Sequence, residues 1–75
     1  MAQLTHEQYE TLERAVALGT RVSLRRDGQG RREYVVIPYA LRIRDGREAI
    51  EARNPTTGHE LVIFVDELES VSPVR

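Results

Sequence analysis

The chain has no cysteine. A disulfide scaffold, a thiol nucleophile and a cysteine-based zinc site are therefore excluded. It has no tryptophan, one phenylalanine and three tyrosines, so its core must be built mainly from aliphatic side chains. Lysine is missing as well, and all 11 basic residues are arginine. No apolar run approaches the roughly 18 residues a membrane-spanning helix needs. No charged start leads into an apolar stretch, so no signal peptide is expected. The cytoplasm is the expected location and no membrane partner is expected. His6 and His59 are far apart in sequence and lie beside a helix start and a turn. Zinc needs about four ligands, so neither a metal nor another cofactor is expected.

What is present is the composition of a small folded domain. A length of 75 residues leaves room for one domain, expected to span residues 1–75. Apolar residues make up 40% and charged residues 31%, a balance that folds rather than stays disordered. The net charge is −1, far from the strongly basic balance of a dedicated nucleic-acid binder. The charge is unevenly placed. Residues 1–13 carry Glu7, Glu10 and Glu13 and no arginine, residues 14–53 carry ten of the 11 arginines, and residues 54–75 are acidic again. A basic middle is either a footprint for an anionic ligand or one half of an internally neutralised fold.

The first element is a helix over about residues 5–18. Thr5 and Gln8 have the spacing of a capping box, and Leu4 and Tyr9 that of a hydrophobic staple. Tyr9, Leu12, Ala15, Val16 and Leu18 make one apolar stripe. Glu10 and Arg14 are placed for an i,i+4 ion pair, and Gly19 supplies the left-handed stop. After Gly19 the period changes to two. Residues 20–26 alternate, with Val22 and Leu24 on one face, and Asp27-Gly28-Gln29-Gly30 reads as a turn. Tyr34-Val35-Val36-Ile37 is apolar on both faces, and Pro38 marks a bend or an edge. Tyr34 and Tyr39 are expected to be core residues with hydroxyls at the rim. Asp45-Gly46 is a two-residue hairpin signal. It predicts the pairs Leu41 with Ile50, Arg42 with Ala49 and Tyr39 with Ala52, and it sets Arg44 opposite Arg47. A turn at residues 54–58, a strand at about 60–65, a short turn capped by Asp66 and a last strand at about 70–74 complete the chain. The expected fold is mainly β with a helix (α+β): an N-terminal helix and a five-stranded antiparallel SH3-like or Sm-like barrel over about residues 20–74. The helix would cover one end, and so small a barrel would leave little room for a pocket.

No catalytic set emerges. Asp66, Glu67 and Glu69 cluster, with Glu60 nearby, but acid–base work needs a cleft to shift a carboxylate. Gly28-Gln29-Gly30 opens no helix and lacks a third glycine, so it is a turn rather than a dinucleotide site. The arginines are the remaining candidates, because guanidinium forks suit phosphate and carboxylate. Arg25, Arg26, Arg31 and Arg32 gather at the first hairpin tip, and Arg42, Arg44 and Arg47 at the second. The candidate ligand-binding residues are Arg25, Arg32, Arg42, Arg44 and Arg47. The bland reading of the same residues is a charged strand edge that discourages sheet-to-sheet pairing.

From Ala15 to Val74 the chain resembles the WYL domain, a small Sm-like β-barrel of bacterial transcriptional regulators. The resemblance runs through Arg21-Val22-Ser23-Leu24, through Val36-Ile37-Pro38-Tyr39-Ala40-Leu41, and through Asp45-Gly46-Arg47-Glu48-Ala49-Ile50-Glu51-Ala52. It ends in the closing segment Phe64-Val65-Asp66-Glu67-Leu68-Glu69-Ser70-Val71. The family's naming tripeptide falls on Glu48-Ala49-Ile50, and two of its arginines fall on Tyr34 and Glu67. The resemblance implies the barrel fold and a regulatory setting. The expected function is a non-enzymatic, WYL-like or Sm-like binding module, regulatory or adaptor in role. Its partner would be another protein or a second copy in a homodimer. The alternative is nucleic-acid or nucleotide binding through the arginine-rich face.

Overall fold

A computed structural model of the chain describes residues 4–26 and 33–74. The helix α1 (His6–Leu18) is followed by the strands β1 (Val22–Arg26), β2 (Glu33–Arg44), β3 (Arg47–Arg53) and β4 (Glu60–Phe64). A 3-10 turn (Val65–Glu67) then leads into β5 (Leu68–Pro73). The segment 27–32, which holds the expected first turn together with Arg31 and Arg32, lies outside the described residues. No helix among the described residues is long and apolar enough to cross a membrane.

α1 begins and ends as its local chemistry dictates. The Gln8 amide donates to Thr5 Oγ1 at 3.2 Å and the Thr5 amide donates to Gln8 Oε1 at 2.8 Å, so two orphan donors are satisfied reciprocally. Gly19 takes φ 70° and donates its amide to the Ala15 carbonyl at 2.8 Å. That left-handed conformation is costly for a residue with a Cβ. Leu4 is buried ahead of the cap, Leu12 and Ala15 are buried within the helix, and Tyr9 packs against the same cluster. Leu18 departs from the expected stripe. It is 67% exposed, at the last residue of the helix beside the Gly19 stop. Glu10 also departs from expectation, lying 2.9 Å from His6 Nε2 on the preceding turn rather than pairing with Arg14.

The five strands form one antiparallel sheet in the order β4-β3-β2-β1-β5. β2 is the organising strand. Its first part, Glu33–Val36, pairs with β1, and its second part, Ile37–Arg44, pairs with β3. Twelve residues laid straight would run about 36–40 Å, longer than any principal dimension of the molecule, the largest being 29 Å. β2 is therefore bent, and the partner change at Val36/Ile37 locates the bend beside Pro38. Proline has no amide to donate, so it fits where ladder pairing is being rearranged. A β-bulge follows at Tyr39. Leu41 faces Ile50 and Arg42 faces Ala49 as the hairpin predicts, but past the bulge Pro38, not Tyr39, faces Ala52. The extra residue turns Tyr39 outward, where it is exposed, so it is not a core residue. Asp45 and Gly46 both have positive φ, 52° and 73°, as a primed two-residue hairpin turn requires.

The sheet is strongly bent but not closed. The expected N-terminal helix and five-stranded antiparallel sheet are present, but the sheet does not close, so it is a barrel only in a loose sense, with β4 and β5 at its two edges. β4 ends at Phe64, one residue sooner than expected, because Val65 already opens the 3-10 turn; β5 correspondingly starts at Leu68. The concave side holds one core cluster that includes Leu12, Val22, Leu24, Ile50, Leu68 and Val71. Side chains of this size contribute about 1.5–3 kcal/mol each on full burial.

Leu12 joins the helix to this core and is fully buried. The substitution Leu12→Ala is expected to cost about 2–5 kcal/mol in urea unfolding. Leu18→Ala, at the exposed end of the same helix, is expected to change stability by about 0.5 kcal/mol or less.

Candidate functional site

The convex face of the β2–β3–β4 half carries most of the candidate arginines. Register places Arg42 opposite Ala49, Arg44 opposite Arg47, and Ala40 opposite Glu51. Side chains alternate across a sheet, so Arg42, Arg44, Arg47 and Glu51 share one face. Glu51 lies at their centre. Arg42 Nε donates to Glu51 Oε1 and an Arg44 Nη donates to Glu51 Oε2, both at 2.8 Å. The Glu51 side chain is only 10% exposed, whereas those of Arg42 and Arg44 are 63% and 51% exposed. The two guanidinium groups form a lid over the carboxylate. Their hydrogen bonds, Arg42 first and then Arg44, hold it below the ordinary carboxylate range despite the cost of desolvation.

Arg47 makes the second junction. It donates to both Asp66 oxygens, at 2.9 and 2.6 Å, and to Glu67 Oε2 at 3.2 Å. Its guanidinium carbon stands 3.8 Å from the centre of the Phe64 ring, a cation–π distance. Arg26 donates to the other Glu67 oxygen at 3.2 Å. One ionic chain thus links β1, the 3-10 turn and β3. Asp66 does not cap the 3-10 turn as expected. The turn has no side-chain cap, and the Asp66 carboxylate is turned to Arg47, whose hydrogen bonds lower its pKa. The like-charge pair Arg44 and Arg47 does face across the strands, and each cation is drawn to a different carboxylate.

Arg25 stands apart from these three. It donates to Glu33 at 3.0 Å, and Ser23 Oγ donates to the other Glu33 oxygen at 3.1 Å. This group sits at the first end of β2, whereas Arg42 and Arg44 sit at the last. The arginines therefore make two separate groups among the described residues, and Arg32 lies outside them. On the other side of the sheet the Tyr9 hydroxyl donates to Glu48 Oε1 at 2.8 Å. That bond, with burial and the Glu48 charge behind it, raises the Tyr9 pKa.

A cleft of about 520 Å³ opens beside β4, where little free space was expected. Leu24, Tyr34, Val36, Leu61, Ile63 and Leu68 supply apolar walls, and Asn54, Pro55 and Thr56 of the β3–β4 turn close one side. Arg26 and Glu33 are the only charged residues of its described lining. Leu61, Val62 and Ile63 all contribute, as do all four residues Glu33–Val36. Successive strand residues point to opposite faces, so a cleft touching each of them runs along the strand edges. It has a topological cause. β3 leaves β2 at Ile37, and the stretch 33–36 then pairs with β1 alone.

Sequence reasoning found Arg42, Arg44 and Arg47 but missed Glu51 as the anchor of Arg42 and Arg44. The predicted register held the signal for one contact, because Glu51 is diagonal to Arg42 across the hairpin and within reach of a long side chain. No family model and no curated protein matches the chain.

Glu51 and Asp66 both have folded-state pKa values below the ordinary range. Their contribution is fully present above about pH 4, the unfolded-state range, and is lost as pH falls through the depressed values. Urea midpoints are expected to drop on acidification below about pH 4, and Glu51→Gln is expected to flatten that drop. An unchanged pH slope in Glu51→Gln would show that the lid contributes nothing.

Proposed function

We propose that this chain is a non-enzymatic binding module acting through protein contacts, in a regulatory or adaptor role on a WYL-like scaffold. The observation that carries this reading is the cleft along the open edge of β4, with apolar walls and two charged residues on its described lining. An extended segment laid along such an edge is held by main-chain hydrogen bonds, and side-chain pockets select its sequence. The carboxylates best placed for acid–base chemistry support the same reading. Asp66 and Glu67 are bound by Arg47, and Glu33 is bound by Arg25 and Ser23. Asp66, whose pKa the Arg47 hydrogen bonds lower, is a poor proton carrier, because its partner favours the charged form.

One observation favours nucleic-acid binding as a second reading. Arg42 and Arg44 share a single carboxylate and remain more than half exposed, which leaves one positive charge over at that point. Against it, Arg25 lies at the opposite end of β2, and Arg47 is committed to two carboxylates. Tyr39 is the exposed aromatic on this side, with Arg53 stacked 5.8 Å from its ring. A single-strand binder needs a series of open rings.

NMR titration with single-stranded DNA and RNA at low salt separates the two readings. The protein-contact reading predicts no saturable shift at Arg42, Arg44 or Arg47. Saturable binding whose affinity falls with salt at a slope of about −0.7 per phosphate would replace it with the second. Peptides selected against the folded domain are expected to shift Leu24, Tyr34, Val36, Leu61 and Ile63; peptides that shift only other residues would contradict the cleft's role.

A further inference from the structure

The two edges of the sheet are defended very differently. β5 carries Glu69, Ser70, Ser72 and Pro73. Charge, small polar side chains and proline are the usual means of keeping an edge from pairing. β4 has the sequence Glu60-Leu61-Val62-Ile63-Phe64, with four apolar residues in five and neither proline nor an inward-pointing charge. Leu61 and Ile63 belong to the concave, core-facing side. Glu60, Val62 and Phe64 take the convex side, and Val62 is 38% exposed there.

We infer that the partner this edge fits is a second copy of the same chain, joined by antiparallel β4–β4 pairing about a two-fold axis through Val62. This deepens the binding-module reading and rests on it. The register is self-complementary. Val62 meets Val62, Leu61 meets Ile63, and Glu60 meets Phe64, so every residue meets one of its own face. No like charges are opposed in this register: Glu60, which pairs with Arg53 of its own chain at 3.6 Å, meets the apolar Phe64 ring of the other copy. A shift of one residue in either direction destroys this match by setting core-facing side chains against convex ones. The cleft beside β4 gives the incoming strand apolar walls at Leu24, Tyr34 and Val36. A contact between the same surface of both copies closes at two and leaves no sticky end. A five-residue ribbon is a small interface, so the association belongs to the weak, concentration-dependent class.

Sedimentation equilibrium from micromolar to millimolar protein, with amide hydrogen exchange at both ends of the range, tests this. The weight-average mass is expected to climb from 8.6 kDa toward about twice that value. The outward-facing amides of β4 should gain protection as it climbs, while those of β5 should not. Val62→Lys places two cations on the axis and is expected to hold the mass at the monomer value. Ser72→Lys on β5 should leave the association unchanged. If Val62→Lys fails to fold, Val62→Thr keeps the strand-forming shape and is expected to weaken association several-fold. A monomer mass at millimolar concentration overturns the inference. So does protection gained on β4 and β5 together, with mass rising past the dimer, which is the mark of head-to-tail β4–β5 pairing. Peptide binding at the cleft of a strict monomer would sink self-pairing alone. Nucleic-acid binding at the arginines would sink the module reading whatever the mass.

Discussion

The bend in β2 at Pro38 is the constraint from which the rest of the structure follows. One strand serves two partners, β1 before the bend and β3 after it. A proline that cannot donate to the ladder and a bulged Tyr39 let the strand turn without stranding a buried amide. The bend wraps the sheet around one aliphatic core and gives α1 a concave surface to cover. It also separates β3 from the first part of β2, and the resulting gap is the cleft. Packing, the cleft and the open edge are thus consequences of one local rearrangement.

The convex face answers a different problem. β3 is buried on both sides, with Ile50 and Ala52 toward the core and Ala49 and Glu51 toward the other face. Among the described residues there is one helix, and it packs on the concave side, so no second layer covers that face. Arginine side chains supply one instead, because their long apolar stems cover surface while their guanidinium heads stay in water. Arg42 and Arg44 close over Glu51, and Arg47 lies flat on Phe64. The carboxylates beneath them are internal counter-charges. Arginines from the middle of the sequence therefore become a cover that Glu51, Asp66 and Glu67 partly neutralise.

Local chemistry was legible in the sequence and distant geometry was not. The capping box, the glycine stop and the Asp45-Gly46 turn each depend on residues within four positions, and all three occur where the pattern places them. The hairpin register followed from its turn, up to the bulge. Beyond it the register slips by one because of Pro38 and Tyr39, and a proline announces a disturbance without saying which way it resolves. Arg47 with Asp66 depends on the 3-10 turn returning beside β3, a contact across 19 positions that no local spacing encodes. The openness of the sheet was hidden for the same reason. Whether two edges meet depends on accumulated twist and bend, so a closed barrel and a bent open sheet share one string of strands.

The sheet bends without closing, and cross-strand NOEs in dilute, monomeric protein are the sharpest check of that. An open sheet gives β4 strand-to-strand contacts with β3 alone and fast exchange of its outward-facing amides. Regular cross-strand contacts from β4 to β1 or β5, with slow exchange on both sides of β4, would mean a closed barrel with no open seam.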